Sequence, residues 1–261
     1  MTNTVDLPYE LPPYLSPSSI STYVQCPLKY KYSRVNKLSE PPTEATLMGN
    51  FVHDVLEYFY LNIEAESRNI ASLKSVSSSI WASGGWAEKV SPFIKDGLNT
   101  FRWNSWWCLE NIFKVESPID VVPAGVETEL NGSIGGFQIK GYIDRWSTLD
   151  GLTKISDYKT GKTPKARYVG DKFTQLLIYA IVLADTKDVE IDLVELLYLK
   201  DGTKFSQKFT EKDARTVSVM VEDVGTKIKN SFDTNQWEAI PAVLCNWCYF
   251  KRDLCEYWNN K

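Results

Sequence analysis

Acidic and basic side chains lie close together in the stretch 139–159, at a spacing that can bind a cation. An Asp-Gly pair at positions 150 and 151 separates two runs of alternating residues. Asp-Gly between strand-like runs is typical of a two-residue hairpin turn, because a type I′ turn needs positive φ at both positions. A turn there places Asp144 directly opposite Asp157. Side chains alternate faces along a strand, so Lys159 lies on the same face as Asp157.

Such an arrangement concentrates charge. Directly opposed residues have Cβ atoms roughly 4.5–5.5 Å apart, and like charges at that spacing repel each other. Two carboxylates and an ammonium on one face therefore indicate a bound cation. The alternative is a solvated hairpin face, on which Asp and Lys are common.

A helix over about 44–62 precedes the hairpin and carries an apolar stripe at three- and four-residue spacing. His53, the only histidine in the chain, lies off the centre of that stripe, and Gly49 is one turn before it. A single histidine on a helix flank is commonly a surface residue or a hydrogen-bonded core residue, so a metal-binding role needs support from other parts of the chain.

Three of the five cysteines are close together near the C-terminus. Cys245 and Cys248 have C-x2-C spacing, and six further residues separate Cys248 from Cys255. Cys26 is the natural fourth ligand, which leaves Cys108 as a buried thiol. In an intracellular chain such thiols are metal ligands more often than disulfides. Tetrahedral zinc and an iron–sulfur cluster fit four thiolates equally. Unconnected buried cysteines are the alternative.

Composition sets wider limits. A chain of 261 residues suits one large domain or two small ones. It has no run of 18 apolar residues and its N-terminus does not resemble a signal peptide, so we expect a cytoplasmic protein with no membrane partner. The net charge of −4 does not indicate a nucleic-acid binder, although basic residues cluster at 29–37 and 159–172.

The pattern of apolar and turn residues predicts a mixed α/β core with a helical insertion. In the tryptophan-rich segment 64–116 we expect the indole rings to belong to the core rather than to a base-stacking surface. The expected elements are an extended arm at 1–15, a helix from Ser16-Pro17 interrupted at Cys26-Pro27, the helix at about 44–62, a strand at about 125–130, the central hairpin, a helix at about 171–185, a strand pair on either side of Asp201-Gly202, and a helix at about 211–231.

The ordered set of these motifs resembles the RecB-type branch of the PD-(D/E)XK nuclease superfamily, and within it the iron–sulfur exonucleases related to CRISPR-associated and AddB-type nuclease domains. The resemblance spans about residues 16–256. The motifs are SPSSISTYVQCPLKYKY with its cysteine, GNFVHDVLE with its histidine, GYIDR, DYKTGK, Gln175 to Tyr179, and the final cysteine trio.

The resemblance implies a restriction-endonuclease-like fold with a central mixed sheet flanked by helices. One nuclease domain would cover 16–261, with a helical insertion at about 64–116 and an iron–sulfur staple formed by Cys26 and the segment 245–255. It also implies a set of site residues. His53, Asp144, Asp157 and the Tyr158 carbonyl would bind Mg²⁺ or Mn²⁺; Lys159 would contact the attacking water or the phosphate; Gln175 and Tyr179 would orient Lys159 or the DNA; Cys26, Cys245, Cys248 and Cys255 would hold a structural 4Fe–4S cluster.

Three features depart from the family pattern. Asp157 stands where many relatives have Glu. The C-x6-C gap before Cys255 is one residue longer than usual, which leaves zinc as an alternative. The segment 64–116 has no counterpart in the family.

The expected function is that of a metal-dependent deoxyribonuclease, an exonuclease acting on single-stranded or end-frayed DNA. Two alternatives remain: a catalytically silent DNA-binding module, or a structural subunit of a recombination, repair or CRISPR adaptation complex.

Overall fold

The computed structural model describes residues 10–149 and 151–259. The chain forms two compact units. The first comprises the residues up to Pro41, Asn131–Gly141 and the residues from Ala214 onward; the second comprises Pro42–Leu130 and Tyr142–Asp213. We expected a single nuclease domain over 16–261, and that division stays a prediction.

Helices and strands follow one another in the order that the residue pattern predicted: helices, three strands, a helix, two strands and a helix. The helices are α1 (Pro17–Gln25), α2 (Pro27–Tyr30), α3 (Glu44–Asn62), α4 (Ile70–Ser83), α5 (Trp86–Val90), α6 (Gly97–Glu110), α7 (Ile112–Val115), α8 (Thr174–Lys187), α9 (Glu211–Thr234) and α10 (Glu256–Asn259). The strands are β1 (Pro123–Ile134), β2 (Phe137–Leu149), β3 (Leu152–Lys159), β4 (Leu193–Tyr198) and β5 (Thr203–Lys208). Among the described residues, no helix combines the length and apolarity needed to cross a bilayer.

The five strands form one mixed sheet in the order β1-β2-β3-β4-β5. The pairs β2/β3 and β4/β5 are antiparallel, whereas β3 and β4 are parallel. A parallel pair needs a long crossover, and α8 provides it. The expected α/β core, with a mixed sheet flanked by helices, is therefore confirmed.

The central hairpin has the register predicted from its turn. Leu149 pairs with Leu152, and the ladder continues as far as Arg145 and Ser156. Gly151 has a φ of +78°, as a primed hairpin turn requires. The other turn residue, at position 150, lies outside the described residues. This register places Asp144 and Asp157 at the next position beyond the last of these pairs.

Helix α3 spans the predicted residues and begins with a capping box. The Thr43 hydroxyl accepts a hydrogen bond from the Thr46 amide, and the Thr46 hydroxyl accepts one from the Thr43 amide. Its buried face runs from Leu47 through Phe51 and Val55 to Phe59. This buried stripe fixes the rotation of the helix about its axis, and hence the direction of His53 on its flank.

The tryptophans of segment 64–116 divide into two groups. Trp86 is buried, and Trp81 and Trp106 pack against the core of the second unit, as expected. Trp103 and Trp107 are 66% and 45% exposed, so a core role was the wrong prediction for both. The reason is helical phase, because the buried face of α6 is formed by Phe101, Ser105, Cys108 and Leu109. The Cys108 thiol is buried as expected, and burial raises its pKa to about 11.

In the first unit, α1 is tied to α9 by a buried hydroxyl network. The Tyr23 hydroxyl donates a hydrogen bond to the Lys227 carbonyl and lies 2.7 Å from the Ser231 hydroxyl. Helix α1 ends at Gln25, before the predicted Cys26-Pro27 interruption. A small core of Leu28, Tyr32 and Phe250 then packs the start of the chain against its end.

Candidate active site

Four elements of the second unit bring acidic and basic side chains together. Helix α3 contributes His53, β1 contributes Glu127, β2 contributes Asp144, and β3 contributes Asp157 and Lys159. Three of these groups, those of His53, Glu127 and Asp144, offer ligand atoms that all lie within 4.8 Å of one another.

The histidine ring faces carboxylates on one side and a carbonyl on the other. His53 Nδ1 lies 3.5 Å from Asp144 Oδ1 and 3.9 Å from Glu127 Oε1. His53 Nε2 lies 3.1 Å from the Tyr158 carbonyl oxygen. When the Nε2 proton is donated to that carbonyl, Nδ1 is directed at the two carboxylates. A backbone carbonyl commonly orients a metal-binding histidine in this way.

The backbone of Tyr158 also fixes the aspartate on β2. Its N–H donates a 2.7 Å hydrogen bond to Asp144 Oδ2, which leaves Oδ1 facing the His53 ring. One peptide segment of β3 thus positions groups from α3 and β2. The Tyr158 carbonyl, a predicted metal ligand, lies within this arrangement beside His53.

Asp157 and Lys159 form an ion pair, with 2.6 Å between Asp157 Oδ2 and Lys159 Nζ. The aspartate is buried and the lysine is partly exposed. Burial lowers the pKa of Lys159, but the charge of Asp157 outweighs it and raises that pKa above its ordinary value. Lys159 therefore stays protonated, and its ammonium lies next to the Asp157 carboxylate.

The site gathers three carboxylates, of which Asp157 is buried and Asp144 and Glu127 are partly buried. Burial raises the pKa of Asp144 to about 7, and the neighbouring Asp157 carboxylate adds to that rise. Burial lowers the pKa of His53, but the neighbouring Glu127 carboxylate and the charges of the two aspartates outweigh it and raise that pKa to about 9. The protonated His53 ring is then a positive charge among the carboxylates.

Glu127 was not among the ligands predicted from sequence. Its backbone lies in the left-handed region, with a φ of +44°. Residues other than Gly, Asn and Asp rarely adopt it, and such local strain is concentrated at functional sites. The distortion within β1 directs the carboxylate toward His53. Nothing in the local sequence signals a left-handed glutamate, so sequence reasoning predicted no more for Glu127 than a position on the strand.

A buried arginine, Arg145, contacts the Tyr158 side chain next to the site. Arg145 is fully buried and donates paired hydrogen bonds of 2.7 and 2.6 Å to the Glu116 carboxylate. Its guanidinium lies 4.5 Å from the centre of the Tyr60 ring and donates a 2.9 Å hydrogen bond to the Tyr158 hydroxyl. Since the Tyr158 backbone contacts His53 and Asp144, this network also stabilises the position of these two candidate metal ligands.

The two predicted residues on α8 lie on the same side of the helix, next to the aspartates. Burial raises the pKa of the Tyr179 phenol. Its hydroxyl hydrogen-bonds with the Gln175 side chain and with the backbone of Tyr142, and both bonds oppose that rise. The negative charges of Asp157 and Asp144 raise the pKa of this phenol further.

An open groove leads to the site from the outer side of α3. Its volume is about 860 Å³, and its walls include Gly49, His53, Glu127 and Thr160. Of the candidate metal ligands, His53 and Glu127 line this groove and are therefore accessible from it.

The four predicted cluster cysteines all line one cavity in the first unit. Its volume is about 160 Å³, several times the ~30 Å³ that one water molecule occupies in the liquid. Cys26 Sγ accepts a hydrogen bond from the Lys29 amide, and Cys245 Sγ accepts one from the Ala242 amide. Within residues 10–149 and 151–259, no three cysteine sulfurs lie within 4.8 Å of one another. The iron–sulfur cluster stays a prediction.

Comparison with known proteins identifies the class to which this fold and site belong. The profile of the PD-(D/E)XK nuclease superfamily matches residues 14–256, and the chain belongs to that superfamily. The sequence resemblance is confirmed at this level.

Individual relatives are more distant. The Gene 69 protein of Mycobacterium phage D29 is 28% identical over 203 residues, which cover 68% of this chain and 71% of that protein. The Gene 69 protein of Mycobacterium phage L5 is 31% identical over 141 residues, which cover 54% of this chain and 41% of the L5 protein. The crystal structure of a candidate exonuclease from Eubacterium rectale matches with a TM-score of 0.59 and 15% identity, over 94% of this chain and 90% of that one. At this identity the likeness shows the fold alone.

Proposed function

We propose that the protein is a metal-dependent deoxyribonuclease, and more narrowly an exonuclease acting on single-stranded or end-frayed DNA. The observation that carries this proposal is the convergence of His53, Glu127 and Asp144 within 4.8 Å, next to the Asp157–Lys159 ion pair. A protein that only bound DNA would have no need of three closely spaced, buried or partly buried carboxylates.

The donor set fits a divalent cation. Mg²⁺ prefers oxygen ligands, which Glu127, Asp144 and Asp157 supply, and a histidine ligand shifts the preference toward Mn²⁺. The raised pKa of Asp144 reflects burial and carboxylate repulsion, which a divalent ion relieves. Such an ion supplies a nucleophilic water at neutral pH and neutralises charge on the phosphate.

Other residues of the site contact the attacking water, the phosphate and the substrate strand in this proposal. Lys159 is held by Asp157 at the edge of the site, where its ammonium can donate to the attacking water or to a phosphate oxygen. As a compact point charge it suits a phosphate. Gln175 and Tyr179 on α8 orient the substrate strand or Lys159.

Two features support the narrower proposal of an exonuclease. The motif order resembles that of RecB-type exonucleases, and the Eubacterium rectale protein with the same fold is described as a candidate exonuclease.

We further propose a 4Fe–4S cluster bound by Cys26, Cys245, Cys248 and Cys255. Its support is the shared cavity and the amide hydrogen bonds to two of the sulfurs. Zinc bound by the same four thiolates is the alternative.

The proposed function is tested with the purified protein and oligonucleotides labelled at the 5′ or 3′ end. We expect cleavage with Mn²⁺ and none with EDTA, and the order of the labelled products distinguishes exonuclease from endonuclease action. Lys159→Ala removes the charge at the phosphate and should lower the rate at least about 100-fold. Asp144→Asn should abolish cleavage while DNA binding is retained.

The matched control is Lys154→Ala. Lys154 lies on the same strand as Lys159, but its side chain pairs with Glu195 and not with Asp157. This variant should cleave as the wild type does. DNA binding without metal-dependent cleavage would contradict the enzyme and support the silent binding module.

A further inference from the structure

A second groove lies in the second unit, between α4 and α6 of the helical segment 64–116. Its volume is about 330 Å³. Three tryptophans, two cations and three small polar residues line it, and among these described lining residues none carries a carboxylate. The cations are Lys74 and Arg102; the tryptophans are Trp81, Trp103 and Trp106.

The tryptophans of this groove have different environments. Trp81 packs edge-on against Phe51 and also contacts Phe101, so its burial contributes to the core. Trp103 is 66% exposed, although it projects from the same helix as Phe101. Single exposed apolar residues are normal on protein surfaces, so exposure alone indicates nothing. Its position in a basic, concave surface is the informative feature.

The positive charge in the groove is held close to the aromatic rings. The Arg102 guanidinium lies over the Trp81 ring, 5.2 Å from its centre. Cation–π contact of this kind fixes the guanidinium, so it is already positioned for an anion. Lys74 projects from α4 on the other side of the groove.

We propose that this groove binds single-stranded DNA away from the catalytic centre, with a base stacked on Trp103 and phosphates next to Lys74 and Arg102. Proteins that bind single strands without sequence preference combine a positive groove with aromatic rings, because every base has a π-face. Two cations without an opposing acid favour a polyanion over a protein surface of mixed charge. The inference rests on the proposed nuclease function, which makes DNA the substrate.

The test measures binding of a labelled oligothymidine to the full chain in EDTA, at several salt concentrations. Trp103→Ala should weaken binding at least about fivefold, because one stacked base is lost. Trp103→Tyr should restore most of the affinity. Lys74→Gln should lower the slope of log K against log salt by about 0.7, the value for one phosphate contact of a single strand.

The control is Trp107→Phe, since Trp107 is exposed on the same helix but its indole N–H donates to the Lys200 carbonyl outside this groove. Wild-type affinity in folded Trp103→Ala protein would overturn the proposal, as would equal losses in Trp107→Phe. Cleavage of the same oligonucleotide with Mn²⁺ is measured separately. Normal cleavage with unchanged binding in Trp103→Ala refutes the groove alone, whereas lost binding in a protein that never cleaves supports the groove and refutes the nuclease.

Discussion

Asp144 is held from two sides, by the Tyr158 amide at one oxygen and by the His53 ring at the other. Asp157 is instead paired with Lys159. The two aspartates of one hairpin face therefore have different partners. The third carboxylate, Glu127, contacts the histidine from β1, at a backbone conformation that is unfavourable for glutamate.

Glu127 provides a testable prediction for a single side chain of the site. Glu127→Gln keeps the shape of the side chain but removes its negative charge, so we expect Mn²⁺ affinity to fall at least about tenfold. The measurement is calorimetric titration of the protein with Mn²⁺, together with the Mn²⁺ concentration that gives half-maximal cleavage.

Its control is Glu129→Gln, two residues along β1, where the carboxylate accepts a hydrogen bond from the Tyr142 hydroxyl. That variant should bind Mn²⁺ as the wild type does. Equal affinity in the Glu127 and Glu129 variants would exclude Glu127 from the metal site.

Among the elements, the buried Arg145 ties β2 to the end of the helical segment through Glu116. Such a pair costs desolvation energy, and its loss leaves an uncompensated charge. Here the pair also supports Tyr158, whose backbone organises the site. The stability of the second unit and the geometry of the site thus depend on the same contact.

We expect Glu116→Ala to lower the free energy of unfolding by about 3–5 kcal/mol, measured by urea denaturation. Lys227→Ala breaks an exposed ion pair on α9 and should cost less than about 1 kcal/mol. Burial raises the pKa of Glu116, but Arg145 outweighs it, so the folded-state pKa lies below the ordinary 4.5.

The pH dependence of stability follows from that direction. The pair's contribution is fully present above pH 4.5 and is lost as the pH falls through the folded-state pKa. Glu116→Ala should therefore lose less stability on acidification than the wild type. A parallel loss in both proteins would show that other carboxylates control acid unfolding.

For the molecule as a whole, the cysteine cavity joins distant parts of the chain within one compact unit. Cys26 comes from the start of the chain and Cys245, Cys248 and Cys255 from its end. A metal group bound there adds its binding energy to folding and closes a very long loop.

Protein purified without oxygen should be brown, with broad visible absorption and iron by elemental analysis. Cys248→Ser should lose the colour and much of the thermal stability, whereas Cys108→Ser should retain the colour, because Cys108 is buried and does not line the cavity. A colourless preparation that contains zinc would overturn the cluster.

Local patterns determined most of the secondary structure. The period of apolar residues gave α3 its predicted bounds, and the Asp-Gly pair predicted the register of β2 and β3. Both signals come from residues near one another in the chain. They were therefore sufficient to predict that Asp144 and Asp157 lie opposite each other on the hairpin.

Only the tertiary structure decided which distant groups meet. The approach of Glu127 to His53 depends on a left-handed residue within β1, and the partner of Arg145 is a glutamate from another element. The rotation of α6 against the core decides that Trp103 faces solvent. Each of these results depends on packing between segments far apart in sequence, where periodicity and turn chemistry carry no information.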